Sequence, residues 1–234
     1  MNILAIGCHP DDIEINCVGT LIKCVKRGDN VTVCHVCNGN MGHEVIMPDE
    51  LRKIRIEEAK RAGAMAGIKV VTCDIGDLDV YNQSKEQRDL VIDVIREADP
   101  DLIITHAPND YMLDHVAVSK LVFDASFAAS VPHYKTKVDK TAKVVPLYYM
   151  DNLTGVDFIP TEYVDVTEEI DLKLEMLECH ESQLKWMRDH DNIDFADMVK
   201  TCAKYRGYQC NAAYAEAFTQ CLAYPKMQTR RLLP

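Results

Sequence analysis

Long apolar runs are missing from this 234-residue chain. None approaches the roughly 20 consecutive apolar residues a bilayer-spanning helix needs, so no membrane partner is expected. The first apolar stretch, residues 3–8, is too short for a secretory signal. It runs into Asp11-Asp12 where a cleavage site would want small residues, and a cytoplasmic protein is expected. Runs of Lys or Arg are missing too. With 26 Lys+Arg against 37 Asp+Glu and a net charge of −11, the chain has no cationic track for phosphates, and no nucleic-acid partner is expected. A few local arginines would still suffice for an anionic small molecule. There is no second C-x-x-C to complete a four-thiolate zinc site around Cys34 and Cys37. The turn after the first strand lacks a dinucleotide fingerprint, carrying Gly7 alone and acidic residues where a pyrophosphate would sit. No linker, internal repeat or low-complexity segment interrupts the chain, so residues 1–234 are read as one domain.

What is present is an ordinary globular balance, 47% apolar and 27% charged. The ten cysteines are scattered through apolar periodic segments, as in Ile22-Lys23-Cys24-Val25, which suits reduced, largely buried thiols. Strict alternation would send Cys34 and Cys37 to opposite faces of a strand, so core thiols are expected there.

Strand and helix signals alternate along the N-terminal half. Residues 2–7, 31–36, 70–73 and 102–105 read as strands. Helical spacing covers residues 18–27, a long stretch from Pro48 to Ala66, and residues 84–98, the last opened by a Ser84/Gln87 capping box and stopped by Pro100. That order implies an α/β fold: a Rossmann-like, mostly parallel sheet with helices on both faces. Further on, residues 144–150 read as a strand, and residues 167–185, 193–205 and 212–223 as helices. Residues 132–141 read as a polar, mobile loop near the site.

Two clusters fall just beyond strand ends, where ligands bind in such sheets. The first is Cys8-His9-Pro10-Asp11-Asp12. The second runs from His106 through Asn109-Asp110-Tyr111-Met112-Leu113-Asp114 to His115. Pro10 keeps His9 extended. A catalytic zinc site takes three protein ligands and leaves one position for water; His9, Asp12 and His115 meet that count. Asp11, the spare carboxylate, is placed to take a proton from the metal-bound water. Either cluster alone has a plainer reading, since Asp11 or Asp12 could cap a helix; the pairing favours the metal. Gly39-Asn40-Met41-Gly42 forms a flexible loop on the same edge, equally suited to substrate approach or a plain turn. Arg55 has Glu57 and Glu58 as neighbours, which by itself suggests a solvated ion pair. Trp186 and the C-terminal tyrosines read as core by default.

These residues make the chain resemble the LmbE/PIG-L family of zinc-dependent N-deacetylases, carbohydrate esterase family 14. The resemblance lies in His9-Pro10-Asp11-Asp12 with Glu14 and Gly19-Thr20, and in Asn38-Gly39 with Glu50-Leu51, Arg55 and Glu58-Ala59. It continues in Asp114-His115, in Lys173 with His180-Glu181-Ser182-Gln183, and in residues 214–218. It implies one Zn2+ per chain, other divalent metals being possible, held by His9, Asp12 and His115, with Asp11 as general base. It also implies a small N-acetylated substrate of the amino-sugar type, a substrate-binding role for Arg55, an orienting role in the site for Asp114, and a homo-oligomer, trimer or hexamer. Tyr111 joins Arg55 and Asp114 as a candidate substrate-binding residue. The chain departs from the family at Met112, where the resemblance calls for a His that stabilises the oxyanion or protonates the leaving amine. Tyr111, His106 and His133 are the candidates to replace it. Two further readings stay open: a metal-binding protein of the same fold with lost or altered activity, and a zinc hydrolase of esters or non-sugar amides.

Overall fold

A computed structural model describes all 234 residues. Its seven-stranded sheet comprises β1 (Asn2–Gly7), β2 (Asn30–Cys37), β3 (Lys69–Ile75), β4 (Leu102–His106), β5 (Leu147–Met150), β6 (Glu162–Asp165) and β7 (Ala215–Gln220). The strand order is β3-β2-β1-β4-β5-β7-β6. The first five strands are parallel, and β7 runs antiparallel to both β5 and β6. β1 and β4 are continuous apolar runs because helices cover both their faces.

The helices are α1 (Asp12–Asn16), α2 (Val18–Lys26), α3 (Pro48–Met65), α4 (Lys85–Ala98), α5 (Leu113–Ala128), α6 (Ile170–Glu178), α7 (Glu181–Asp191) and α8 (Phe195–Cys210). Two buried clusters sandwich the sheet. One joins Leu21, Val33, Ile104 and Phe218; the other joins Ile6, Val36, Ile95, Ile103 and Val118. None of the helices is long and apolar enough to cross a membrane. Strand order reverses between β1 and β4, so the crevice of this α/β sheet opens where both acidic/His clusters emerge.

Several expectations need correction. The predicted helix over residues 212–223 is instead strand β7. Ala and Glu favour helices, but Ala215, Ala217 and the intervening Glu216 are all buried between two strands that supply backbone partners on either side. The helix over residues 167–185 is two, broken at Cys179-His180. α1, α5 and β6 went unpredicted. Residues 132–141 lie far from the site. α5 starts at the crevice and runs back for 16 residues, or about 24 Å, before they begin. They are tied to α4 through Arg96, whose Nη1 and Nη2 donate to Val138 O and Tyr134 O at 2.8 Å each. Cys34 and Cys37 share one buried cluster rather than opposite faces, because the register of β2 shifts between His35 and Cys37. Both are free thiols, as are the other eight cysteines.

Glu216 links the C-terminal strand to the start of the fold. Its carboxylate accepts from Gly19 N at 2.9 Å and Thr20 N at 2.7 Å, both in the first turn of α2, while Lys173 Nζ donates to it at 2.6 Å inside the protein. A buried carboxylate at a helix start, balanced by a buried ammonium, anchors α2 behind the crevice.

Candidate functional site

β1 ends at Gly7, and the next four residues turn sharply into α1. Asp11 sits there at φ 125°, a region that non-glycine residues rarely adopt and that costs of order 1–3 kcal/mol. The turn sends Asp11 and Asp12 to different partners. Asp12 Oδ2 accepts from Cys8 N at 3.1 Å and His9 N at 2.6 Å. Asp12 Oδ1 stands 3.2 Å from His115 Nε2. Asp11 Oδ2 instead accepts from Arg55 Nη2 at 3.0 Å.

His9, Asp12 and His115 place one donor atom each within 4.8 Å of one another, all buried. Both imidazoles have a carboxylate behind them. His9 Nδ1 lies 3.6 Å from Asp12 Oδ2, while its Nε2 faces Asp114 Oδ2 at 3.3 Å. His115 Nε2 faces Asp12, while its Nδ1 faces Asp110 Oδ2 at 3.1 Å. A carboxylate on the outer ring nitrogen is how metal-binding imidazoles are oriented and made more basic. His115 Nε2 is buried without a hydrogen-bond partner, and it points at a carboxylate oxygen. Lone pairs facing each other in a buried space require a cation between them or a proton on one. The residues therefore fit a divalent ion with two imidazoles and a carboxylate, the donor set of an open zinc site.

The surrounding carboxylates dominate the electrostatics of both imidazoles. Burial pushes the His115 imidazole down, but Asp12 and Asp110 outweigh it and bring its pKa up to about 9. Burial likewise disfavours charge on His9, yet Asp114 and Asp12 hold it well above the usual histidine range. Asp12, raised by burial, is pulled well below the carboxylate range by His115 and His106. For Asp11 burial wins: Arg55 opposes it, Asp12 adds to it, and the pKa settles at about 6.

Arg55 is not solvated, and Glu57 and Glu58 are not its partners. It is 3% exposed, donates through Nη2 to Pro10 O and Asp11, and reaches Gly39 O through Nη1 at 3.4 Å. Glu58 turns instead to Ser182, accepting from its N at 2.9 Å and its Oγ at 2.7 Å. Gly39, at φ 76°, is required here because a Cβ would lie 2.6 Å from the Arg55 side chain. The glycine admits the guanidinium. Asp77, unremarked in the sequence, braces this loop by accepting from Gly39 N at 2.8 Å and Met41 N at 3.0 Å.

Of the three candidates to replace the missing imidazole at Met112, the structure leaves one facing the cavity. His106 is fully buried, accepts from Cys8 N at 2.9 Å and stacks on His115. His133 is exposed in the segment beyond the far end of α5. Tyr111 lines the cavity edge-on to His115, with centroids 6.3 Å apart. Burial and the nearby Asp110 push its pKa up to about 12, so it stays a phenol able to donate. Met112 itself lines the cavity at the N-cap of α5. Asp110, His180 and Glu14 were missed as participants. His180 Nε2 stands 3.4 Å from Glu14 Oε2 behind Asp11; both residues lie in the stretches that carry the family resemblance, which gave neither a role.

His9, Asp11, Asp12, Arg55, Tyr111 and His115 line a cavity of about 380 Å³. The fold and site together define a Rossmann-like α/β protein with an open His/Asp metal-type centre at the switch point of its sheet. Residues 4–126 match the model of the PIG-L family, GlcNAc-PI de-N-acetylase, and the chain belongs to that family of enzymes. It is 28% identical over 224 residues to a diacetylchitobiose deacetylase of Thermococcus kodakarensis, a match covering 92% of this chain and 80% of the relative. Among solved structures, GalB, the 4-carboxy-2-hydroxymuconate hydratase of Pseudomonas putida KT2440, superposes with a TM-score of 0.83. It shows 21% identity over 99% of this chain and 100% of its own. The N,N'-diacetylchitobiose deacetylase of Pyrococcus horikoshii gives a TM-score of 0.81 at 22% identity, covering 94% of this chain and 83% of its own.

Proposed function

We propose that this protein is a metal-dependent N-deacetylase that hydrolyses the acetamide of a small N-acetylated amino sugar or its conjugate. The observation that carries the reading is the unpartnered, buried His115 Nε2 aimed at Asp12, with His9 completing a three-donor set beside a separate carboxylate, Asp11. His9, Asp12 and His115 would hold the ion, Zn2+ by its donor preference. Bound there, such an ion would supply Lewis-acid polarisation of an amide carbonyl and of the attacking water. Asp11 accepts the proton from the attacking water. Its pKa of about 6 leaves it ionised at neutral pH yet close enough to return the proton to the leaving amine. Arg55 holds Asp11 in place, and Asp114 and Asp110 fix the two imidazoles. Tyr111, next to Met112 on the cavity wall, offers a hydroxyl in place of the absent His. Membership of the family and likeness to a diacetylchitobiose deacetylase support the acetamide substrate.

The test is acetate release from a panel of N-acetyl sugars by zinc-loaded protein beside Asp11→Asn. A fall of about 10²–10⁴ in kcat is expected in the variant; equal activity would remove Asp11 from the mechanism.

Met112 favours a second reading, a metal-binding protein of this fold with altered chemistry, since methionine cannot donate a proton. A hydratase shares the fold, so the architecture does not by itself dictate deacetylation. Activity that appears only in Met112→His would support this alternative.

A homo-oligomer, trimer or hexamer, belongs to the same proposal. Exposed Val45 and Met47 after β2, Leu78 after β3 and Leu113 at the start of α5 give the crevice edge an apolar rim suited to a subunit contact. Light scattering on the eluting protein decides it.

A further inference from the structure

We propose that the cavity selects an N-acetylated amino sugar whose aglycone is an alkyl or aryl group rather than a second sugar. This rests on the deacetylase reading above. Ile15 of α1, Leu153 beyond β5, Met187 of α7 and Phe195 of α8 line one wall of the cavity, and they belong to a single apolar cluster that continues into Leu177 and Val199. Ile15, Leu153 and Met187 are only half-buried, so each has apolar surface left for a ligand to cover.

The polar side chains of the same cavity are largely committed to the protein. Asp77 is taken by Gly39 N and Met41 N. Asp114 is taken by Leu78 N at 2.9 Å and by His9. Asn16 Nδ2 donates to Asp12 O at 3.0 Å, and the two Arg55 Nη atoms are taken by Pro10, Asp11 and Gly39, leaving Nε without a partner. Gln183, the Tyr111 hydroxyl, Asn16 Oδ1 and Arg55 Nε remain for a ligand, enough for the acetylated ring itself. A second pyranose would press its hydroxyls against Leu153, Met187 and Phe195 and lose water without replacement. An alkyl chain or aromatic ring loses nothing there. The volume of about 380 Å³ lies near the lower end for small-ligand sites, which suits one sugar with one compact apolar group.

The experiment compares acetate release by the zinc-loaded protein from n-hexyl N-acetylglucosaminide, in both anomers, with release from N,N'-diacetylchitobiose. The hexyl glycoside is expected to have a kcat/KM at least about tenfold higher. Met187→Gln, near-isosteric, is expected to lower the ratio of kcat/KM for the hexyl glycoside to that for N-acetylglucosamine about tenfold, mostly through KM. Leu153→Asn serves as a second variant should Met187→Gln not fold. Calorimetric binding of the amine products gives a readout independent of turnover: hexyl glucosaminide should bind more tightly than glucosamine, and Met187→Gln should abolish the difference. Chitobiose turned over as well as the hexyl glycoside, or equal binding of the two amines, overturns the apolar subsite. Preferential, Met187-dependent binding without acetate release from any substrate upholds the subsite and refutes the deacetylase reading.

Discussion

Arg55 Nη2 donates to Asp11 Oδ2 at 3.0 Å with both side chains inside the protein, so the carboxylate proposed as the base is held by a buried guanidinium. Burial raises the Asp11 pKa to about 6, and Arg55 is the largest influence opposing that rise. Removing the guanidinium leaves burial and Asp12 to push the acid further up, so its basic form is reached only at higher pH. Arg55→Met should therefore move the acid limb of the kcat/KM profile to higher pH and lower the rate at neutrality. It should also cost about 3–5 kcal/mol of stability, the usual penalty for breaking a buried pair. A pH–rate profile with a urea melt checks both; an unmoved limb would mean that the charge on Asp11 does not control the rate.

The metal reading makes a thermodynamic prediction that needs no substrate. An ion that binds only the folded chain stabilises it by about 2.7 kcal/mol at 100 times its Kd. Zinc added to chelator-stripped protein should raise Tm, and EDTA should reverse the rise. His115→Ala removes the buried nitrogen that lacks a partner, so its Tm should stay flat on adding zinc. A variant that gains as much as the wild type would place the ion elsewhere.

Tyr111 is the candidate donor that remains on the cavity wall. If its phenol protonates the leaving amine or steadies the oxyanion, Tyr111→Phe should lower kcat about 10²-fold with little change in KM. Met112→His in that background should restore part of the loss, because the new imidazole would stand on the neighbouring residue of the same wall. Steady-state kinetics of the two single variants and the double variant settle the assignment. A Tyr111→Phe enzyme with an unchanged kcat excludes the phenol.

The N-terminal half of the fold was readable because β1 and β4 bury both faces and spell apolar runs, β2 is rich in Val and Cys, and α3 and α4 carry their own start and stop residues. The convergence of His9, Asp12 and His115 followed from that topology. What stayed hidden depends on tertiary partners. α5 has buried residues around most of its circumference and therefore no amphipathic period. β7 is written in helix-favouring residues and becomes a strand only because β5 and β6 flank it. Arg55 looked like a surface cation until Gly39 gave it room to reach Asp11. Asp110 gave no local sign of facing His115, because the turn that brings them together closes over five residues of loop and helix start.

His35 carries the last prediction, about acid stability. It is 2% exposed in β2, its Nε2 has no hydrogen-bond partner, and burial brings its pKa down to about 4 despite the opposing charge of Glu14. The unfolded chain protonates this residue near the ordinary value of about 6.5. Below that pH the unfolded state gains a proton that the native state refuses until about pH 4. The stabilisation from a neutral His35 is therefore complete above pH 6.5 and lost as the pH falls toward 4, a change of order 3 kcal/mol. Urea midpoints of chelator-treated protein at pH 7.5 and pH 4.5 should show that loss in the wild type. His35→Gln cannot take the proton, so it should lose less over the same interval, even if it starts lower. Chelation keeps protonation of His9 and His115 at an occupied metal site out of the comparison, and the remaining carboxylates titrate in both proteins. Parallel acid losses in wild type and variant would show that His35 is charged, or solvated, in the native state.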